Sequence, residues 1–418
     1  MSRKAVLNLD YALMQSTYWM FYAVAGIFVS VYMLGKGYSN TAIGLVIAVG
    51  NIAAVIVQSI IADITDRFDR ISNITVIKTM TVVLFMLTAA VLLTGSRSAG
   101  LTAAYTALIV VHTALHPFIN SLSFTLGESG IYVSFGIGRS MGSLSAAVLG
   151  LVMGYMVTAL GVDVIPFSGL MILIAMEAVI IITGRHYKKQ TDLQKMIFLE
   201  KKAEEGRTEH TEPEDTDISF IRFIKDNIRF VVMSVGVAAL FFGNVILENF
   251  TIQIVENIGG NTEQMGIVIF VMSILEMPAM IFFDRLKRRF SYIFLLRIAA
   301  VFFAVKITMM YLARSMMLIY IAQINQILGY GLLFPAMVGF IGHVMTKGEA
   351  VRGQALFTTA ITSGNVLGCI AGGRILDIMS VNSLLLISSA VTVLGTIIIW
   401  IMVRTIRCAD KRKVAQNG

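Results

Sequence analysis

The chain has 418 residues, of which 57% are hydrophobic and only 14% charged, with a mean hydropathy of +0.80. Soluble domains carry about 45–50% apolar and about 25% charged residues, so this composition excludes a soluble globular protein and implies an integral membrane one. The net charge of +8 does not call for nucleic acid, because the lysines and arginines fall in loops and the tail, where the positive-inside rule puts them.

In chain order, MSRK is followed by an apolar run that starts beyond Asp10 and outlasts a signal peptide without a small-residue cleavage site, so the first helix is expected to stay attached. Taking a span as about 20 apolar residues, helices are predicted over 11–34, 41–64, 73–95, 100–126, 134–160 and 166–184. Six more are predicted over 228–256, 263–283, 291–313, 316–345, 353–376 and 383–404. Turns such as GKGYSN, GSRSAG and TKGEAVRG separate them. The expectation is an all-α integral membrane fold of twelve spans in two pseudo-symmetric halves. One six-helix bundle covers 1–184, a cytoplasmic linker 185–227, a second bundle 228–404 and a basic tail 405–418. The linker's acidic, proline-containing centre, EEGRTEHTEPEDTD, reads as flexible. Basic residues concentrate on the side shared by both termini and the linker, which is therefore expected to be cytoplasmic.

The halves are copies of one unit. SAAVLGLVMG at 145–154 returns as SGNVLGCIAG at 363–372, and Asp66-Arg67 and Pro117 return as Asp284-Arg285 and Pro335 at the same offset of 218. The glycines of 142–154 and 364–373 suit close helix packing, and no GKS or GKT follows to make a phosphate loop. Cys369 and Cys408 give no disulfide framework.

Positions three and four apart share a helix face, so polar residues at that spacing mark a wet surface. The first span carries Gln15, Tyr18 and Tyr22 beside Trp19, and the fourth His112, His116, Asn120 and Ser123. In the second half the seventh carries Asn244, Glu248 and Thr251, the tenth Gln323, Gln326 and Tyr330, and the eleventh Thr358, Thr362 and Asn365. His112 and His116 suit a metal or a proton relay by spacing, but no Cys or acid shares their face, so they are expected to line a cavity without metal.

A charge at bilayer depth costs at least about 2.5–3.5 kcal/mol and normally faces water, a counter-ion or a solute. Arg139, in the apolar FGIGRSMGSLSAAVLGLVMG, either snorkels to the interface or contacts solute; solute contact is the reading adopted, because a guanidinium presents a fork of donors. Glu276, two residues before Pro278 in the middle of the eighth span, is the first candidate for a proton-carrying acid. Arg297 and Lys306 on the ninth span and Glu248 on the seventh are either part of the coupling site or structural pairs.

Asp66-Arg67-Phe68-Asp69-Arg70 resembles the loop signature of the major facilitator superfamily, with Ala62 and Asp69 in place of its glycines, and Asp284-Arg285 followed by Lys287 to Arg289 echoes it. The resemblance implies the major facilitator fold and a gating role for Asp66, Arg67, Asp284 and Arg285. Within that superfamily the chain resembles the lactose permease, oligosaccharide:proton symporter branch. Phe135-Gly136 with Arg139 and Gly142, Pro117, Glu276, Arg297-Ile298 and Gln354-Ala355-Leu356 leading to Gly372 carry that likeness. It implies sugar-hydroxyl binding at Arg139, with Glu276 and Arg297 in sugar binding and proton coupling. Asn120 stands where that branch has an acid, Ala146 where it has a sugar-stacking tryptophan, and Gln326 and Gly329 where it has a histidine and a glutamate.

The resulting expectation is an alternating-access, proton-coupled symporter of a bacterial-type cytoplasmic membrane, importing a small polar organic solute, with a saccharide first and a nucleoside second. Arg139, Asn120, Tyr18, Tyr22 and His116 would hold the solute from one half and Gln326 and Asn365 from the other, while Glu276, Arg297, Glu248 and Lys306 couple the proton. A proton-driven efflux carrier of amphipathic compounds, or a sensor that binds solute without moving it, remain the alternatives. No enzyme is expected, since no nucleophile, metal cluster or catalytic acid pair lies near an interface. The protein is expected to be a monomer whose partners are solute, protons and lipid, with no cofactor beyond the proton gradient.

Overall fold

The computed structural model describes residues 3–68, 71–127, 133–202 and 220–406; the side chains of 3, 66, 190–202, 220–222, 280, 284 and 347–348 are outside the description. The acidic centre of the linker, Cys408 and the basic tail beyond Ile406 therefore lie outside the described residues. The described chain is helical. Its first half holds α1 (Arg3–Tyr22), a π-helical turn (Ala23–Ile27), α2 (Val29–Gly35), α3 (Asn40–Arg67), α4 (Asn73–Leu93), α5 (Ala99–Gly127), α6 (Phe135–Leu160) and α7 (Val164–Lys202). The second half holds α8 (Phe220–Asp226), α9 (Ile228–Asn249), α10 (Thr251–Glu256), α11 (Thr262–Ile281), α12 (Phe283–Arg289) and α13 (Tyr292–Leu312). After these come α14 (Met316–Gln323), a 3-10 turn (Ile324–Gln326), α15 (Tyr330–Val344), α16 (Lys347–Ile378) and α17 (Val381–Thr405).

Among the described residues eleven helices are long and apolar enough to cross a membrane, and the α1–α2 pair, bent by 41°, raises the number to twelve. The protein is a multi-pass membrane protein. Serine side chains cap the starts of α4, α6, α13 and α17 by accepting from the backbone N–H three residues on, and Thr346 with Glu349 forms a capping box on α16. Such caps hold the ends of helices where the chain turns back towards the bilayer.

Three predicted spans are broken rather than continuous. The first widens into the π turn, where Phe28 N–H bonds back to the Ala23 carbonyl, and bends there. The seventh breaks at Phe250 between α9 and α10. The tenth leaves the α-helix through the 3-10 turn and resumes beyond Gly329, which lies close enough to Phe303 of α13 that a Cβ would stand 3.5 Å from its ring. By contrast the sixth runs on as α7 to Lys202, well into the stretch expected to be linker.

Two compact units form, one of residues 1–37 and 49–213 and the other of 38–48 and 214–418. Sequence placed 38–48 with the first half. The reason for the difference is local: the Asp377 carboxylate accepts from Asn40 N (3.0 Å), Asn40 Nδ2 (3.1 Å) and Thr41 N (2.8 Å), capping the first turn of α3. Gly44 and Gly373 let the backbones of α3 and α16 touch, since a Cβ on either would collide with a carbonyl oxygen.

Inside each unit the same helix pairs meet. In the first unit α1 packs on α6 and α7, and α4 on α5 and α7; in the second α9 packs on α16 and α17, and α13 on α15 and α17. Counting spans within each half, the first lies against the fifth and sixth, and the third against the fourth and sixth, as a duplicated unit requires. The second unit's core of Phe230, Met233, Val237, Leu240, Leu296, Ala300, Phe303, Leu333, Phe340 and Ile399 fills the space between these helices.

Candidate functional site

In the first unit the α1 stripe meets the α5 stripe over the glycine-rich start of α6. Gly138 and Gly142 make this possible: a Cβ on Gly138 would overlap the Tyr11 ring, and one on Gly142 would lie 2.5 Å from Trp19 Cδ1. Their absence of side chain draws Trp19 against α6, and Arg139 lays its guanidinium 3.8 Å over the Trp19 ring while Nη1 donates to Ser143 Oγ at 2.6 Å. Arg139 is thus held by an aromatic face and a hydroxyl, with no carboxylate to consume its charge among the described residues.

A directional hydrogen-bond chain runs from the same tryptophan. The indole Nε1–H can only donate, and it donates to Gln15 Oε1 (3.1 Å), which turns Gln15 Nε2 to Tyr11 Oη (2.7 Å) and Asn120 Oδ1 (3.1 Å). Asn120 Nδ2 is then left for His116 Nε2 at 3.0 Å. His116 accepts at Nε2, so the neutral ring carries its proton on Nδ1, where no described group receives it. Behind this line the rings of Tyr18 and His112 stack at 4.5 Å and 9°, Tyr18 also lies parallel to His116, and Tyr22 lies parallel to His112. Tyr18 Oη donates to the His112 carbonyl (3.2 Å), while His112 Nε2 is buried with no partner among the described residues.

Burial sorts these residues into two layers. Tyr11, Gln15, Tyr18 and His112 are buried, whereas Trp19, Tyr22, His116, Asn120, Arg139 and Ser143 are half-buried. The inner layer fixes the geometry of an outer rim that offers a guanidinium, a hydroxyl, an amide, an imidazole and two aromatic rings.

In the second unit a buried cluster forms where the tenth span is broken. The 3-10 turn brings Gln326 onto Lys306 of α13, both almost fully buried, and Lys306 Nζ donates to Gln326 Oε1 at 2.5 Å. Gln326 Nε2 donates to Glu276 Oε1 on α11 at 2.7 Å. On α9, Asn244 Nδ2 donates to Glu248 Oε1 at 2.9 Å, and the ammonium of Lys306 lies within electrostatic range of both Glu248 and Glu276. The structure thus brings together Glu276, Lys306, Gln326 and Glu248.

Arg297 lies elsewhere. It faces α17, stacking on Trp400 at 4.7 Å and donating to the Trp400 carbonyl from Nε (3.2 Å) and Nη2 (2.7 Å). Asn365 is half-buried on α16. Of the four gating candidates, Arg67 pairs with Asp63 at 3.0 Å on the surface and Arg285 lies over the Phe282 ring. The side chains of Asp66 and Asp284 lie outside the described residues.

Sequence reasoning did not assign site roles to Gln15, Trp19, Ser143 or Asn244. Gln15 and Asn244 sat in the polar stripes; Ser143 is one turn beyond Arg139, and the small-residue spacing of Gly138 and Gly142 was the signal that an aromatic would lie against α6.

Both clusters lie within helices long and apolar enough to cross a membrane, the setting of a membrane transporter, and the family match assigns that class. The chain belongs to the MFS_1-like family, whose profile matches residues 11–387. No curated protein sequence is recognisably similar to it. Among solved structures, a variant of the nucleoside transporter NupG superimposes with a TM-score of 0.76 at 12% identity, covering 95% of this chain and 99% of that one. NupG itself gives 0.71 at 13% identity over 96% and 99% of the two chains. A bacterial homologue of the human lysosomal transporter Spinster, inward-facing and unoccupied, gives 0.62 at 14% identity over 97% and 98%. At these identities the likeness shows the fold, and the resemblance to the major facilitator superfamily holds over nearly the whole chain.

Proposed function

We propose that the protein is a proton-coupled symporter that imports a nucleoside-like solute by alternating access across a cytoplasmic membrane, with both termini on the cytoplasmic side. The observation that carries the solute class is the half-buried rim of Trp19, Tyr22, His116, Asn120, Arg139 and Ser143 over its buried backing. Hydroxyl binding, which Arg139 and Ser143 supply, serves a saccharide and a nucleoside alike. A rim that adds aromatic faces, an amide and an imidazole with a free Nδ1–H suits a solute with a flat ring and an acceptor on its edge as well as hydroxyls. The likeness of the fold to the nucleoside transporter NupG supports the same choice.

Proton coupling is supported by the Glu276, Gln326, Lys306 and Glu248 cluster, because ionisable groups inside membrane helices usually mark ion pathways. The lysine and arginine bias supports the orientation. The reading is tested by uptake of radiolabelled uridine and adenosine into proteoliposomes, with a disaccharide beside them. Saturable nucleoside uptake that unlabelled disaccharide does not displace is expected; disaccharide uptake without nucleoside uptake would overturn the solute class.

A further inference from the structure

The second unit's cluster contains two carboxylates and one ammonium, and its hydrogen bonds treat the two acids differently. Lys306 Nζ can only donate, so the Gln326 amide must turn Oε1 to the ammonium and Nε2 to Glu276. That orientation makes Glu276 an acceptor and threads it to the positive charge through a buried amide. Lys306, Gln326 and ionised Glu276 form a neutral set. Glu248 is outside it: Asn244 is its hydrogen-bond partner, and no described cation approaches it to ion-pair distance.

The only charge acting on it from the packed helices among the described residues is that of Lys306. From α13 it faces Lys306, beyond which lies Glu276 of α11; from α16 it senses the Cys369 thiol, while Arg374 and Asp377 lie further towards that helix's C-terminal end and Glu349 and Arg352 at its start; α17 has no ionisable residue before Arg404 in its last turn, and those of α8 and α10, Lys225, Asp226 and Glu256, lie beyond the two ends of α9 in the chain, the side chain of Arg222 being outside the described residues. An ionised Glu248 leaves the cluster with one surplus negative charge at bilayer depth, and a protonated one leaves it neutral.

We infer that Glu248, rather than Glu276, is the acid that carries the transported proton, and that Gln326 is a positioning residue that holds Glu276 ionised against Lys306. The inference rests on the proton-coupled reading above. In the cycle, the Glu248 carboxylate forms an O–H bond with a proton from water on the outer face and breaks it when the proton leaves to cytoplasmic water. Lys306 keeps its proton throughout. One proton moves per cycle.

The test compares wild type, Glu248→Gln, Glu276→Gln and Gln326→Leu in proteoliposomes by two assays, accumulation of labelled uridine under an inside-alkaline gradient and uridine counterflow with no gradient. Glu248→Gln, a fixed mimic of the protonated acid, is expected to lose accumulation at least 10-fold while keeping counterflow within about twofold, and its counterflow should no longer vary with pH. Glu276→Gln and Gln326→Leu leave Lys306 without its counter-charge or its link to it, and both are expected to lose counterflow as well. Accumulation by Glu248→Gln equal to wild type, or a Glu276→Gln variant that exchanges without accumulating, would overturn the assignment while leaving coupling intact. Wild-type uptake indifferent to the gradient would instead remove coupling itself, and this assignment with it.

Discussion

Arg139 stood out in the sequence because a lone guanidinium in an apolar stretch has few stable placements, yet the residues that hold it did not. Trp19 sits on an apolar helix and reads as core; only the close approach of α1 to α6 at Gly138 and Gly142 makes it the platform for the charge. Replacing Arg139 with Lys keeps the charge but loses the planar stack and the fork, so solute affinity in a direct binding assay is expected to fall about tenfold or more, the worth of one charge-assisted hydrogen bond. Gly142→Ala puts a methyl 2.5 Å from Trp19 Cδ1, and a similar loss of affinity with little change in expression is expected. Equal binding by both variants would show that the stack does not shape the site. Arg297 carries the opposite lesson: it has the same residue type and setting as Arg139, but its partner is a backbone carbonyl of α17, which no side-chain pattern announces.

At the scale of elements, hydropathy located the spans found among the described residues, because span length follows bilayer thickness whatever the tertiary packing. It did not locate the breaks. The π turn in the first span and the 3-10 turn in the tenth are made by packing, and each frees or redirects backbone groups that another helix must satisfy. Tyr105 Oη donates to the Ala25 carbonyl within the π turn at 2.9 Å, and Tyr32 Oη reaches the Val91 carbonyl at 3.1 Å. Tyr105→Phe is therefore expected to lower stability by about 0.6–1.7 kcal/mol, the range for hydrogen bonds between membrane helices, seen as earlier thermal unfolding in detergent. No shift would mean that the carbonyl is satisfied without the hydroxyl. The polar stripe of the tenth span enters a buried cluster for the same reason: its break at Gln326 and Gly329 points an amide at Lys306 instead of continuing the stripe along one face.

For the whole molecule, duplication was the most legible feature, since an offset of 218 relates a glycine motif, an Asp-Arg pair and a proline, and the structure answers with the same helix pairings in both units. The unit boundary was less legible, because Asp377 and the tight glycine contacts hold residues 38–48 on the second unit although they are encoded in the first half. Asp377→Ala removes the cap from Asn40 and Thr41, at a cost of about 1 kcal/mol typical of an N-cap. Faster amide hydrogen exchange over 38–48, without change in the rest of the second unit, is expected; unchanged exchange would mean that the glycine contacts suffice alone. The proposed function rests on the Arg139 rim in one unit and the Glu248, Glu276, Lys306 and Gln326 cluster in the other. The most direct test is proton flux in lightly buffered proteoliposomes with no imposed gradient: adding uridine outside is expected to alkalinise the medium in wild type and not in Arg139→Ala, whereas uridine entry without any pH change would contradict the account.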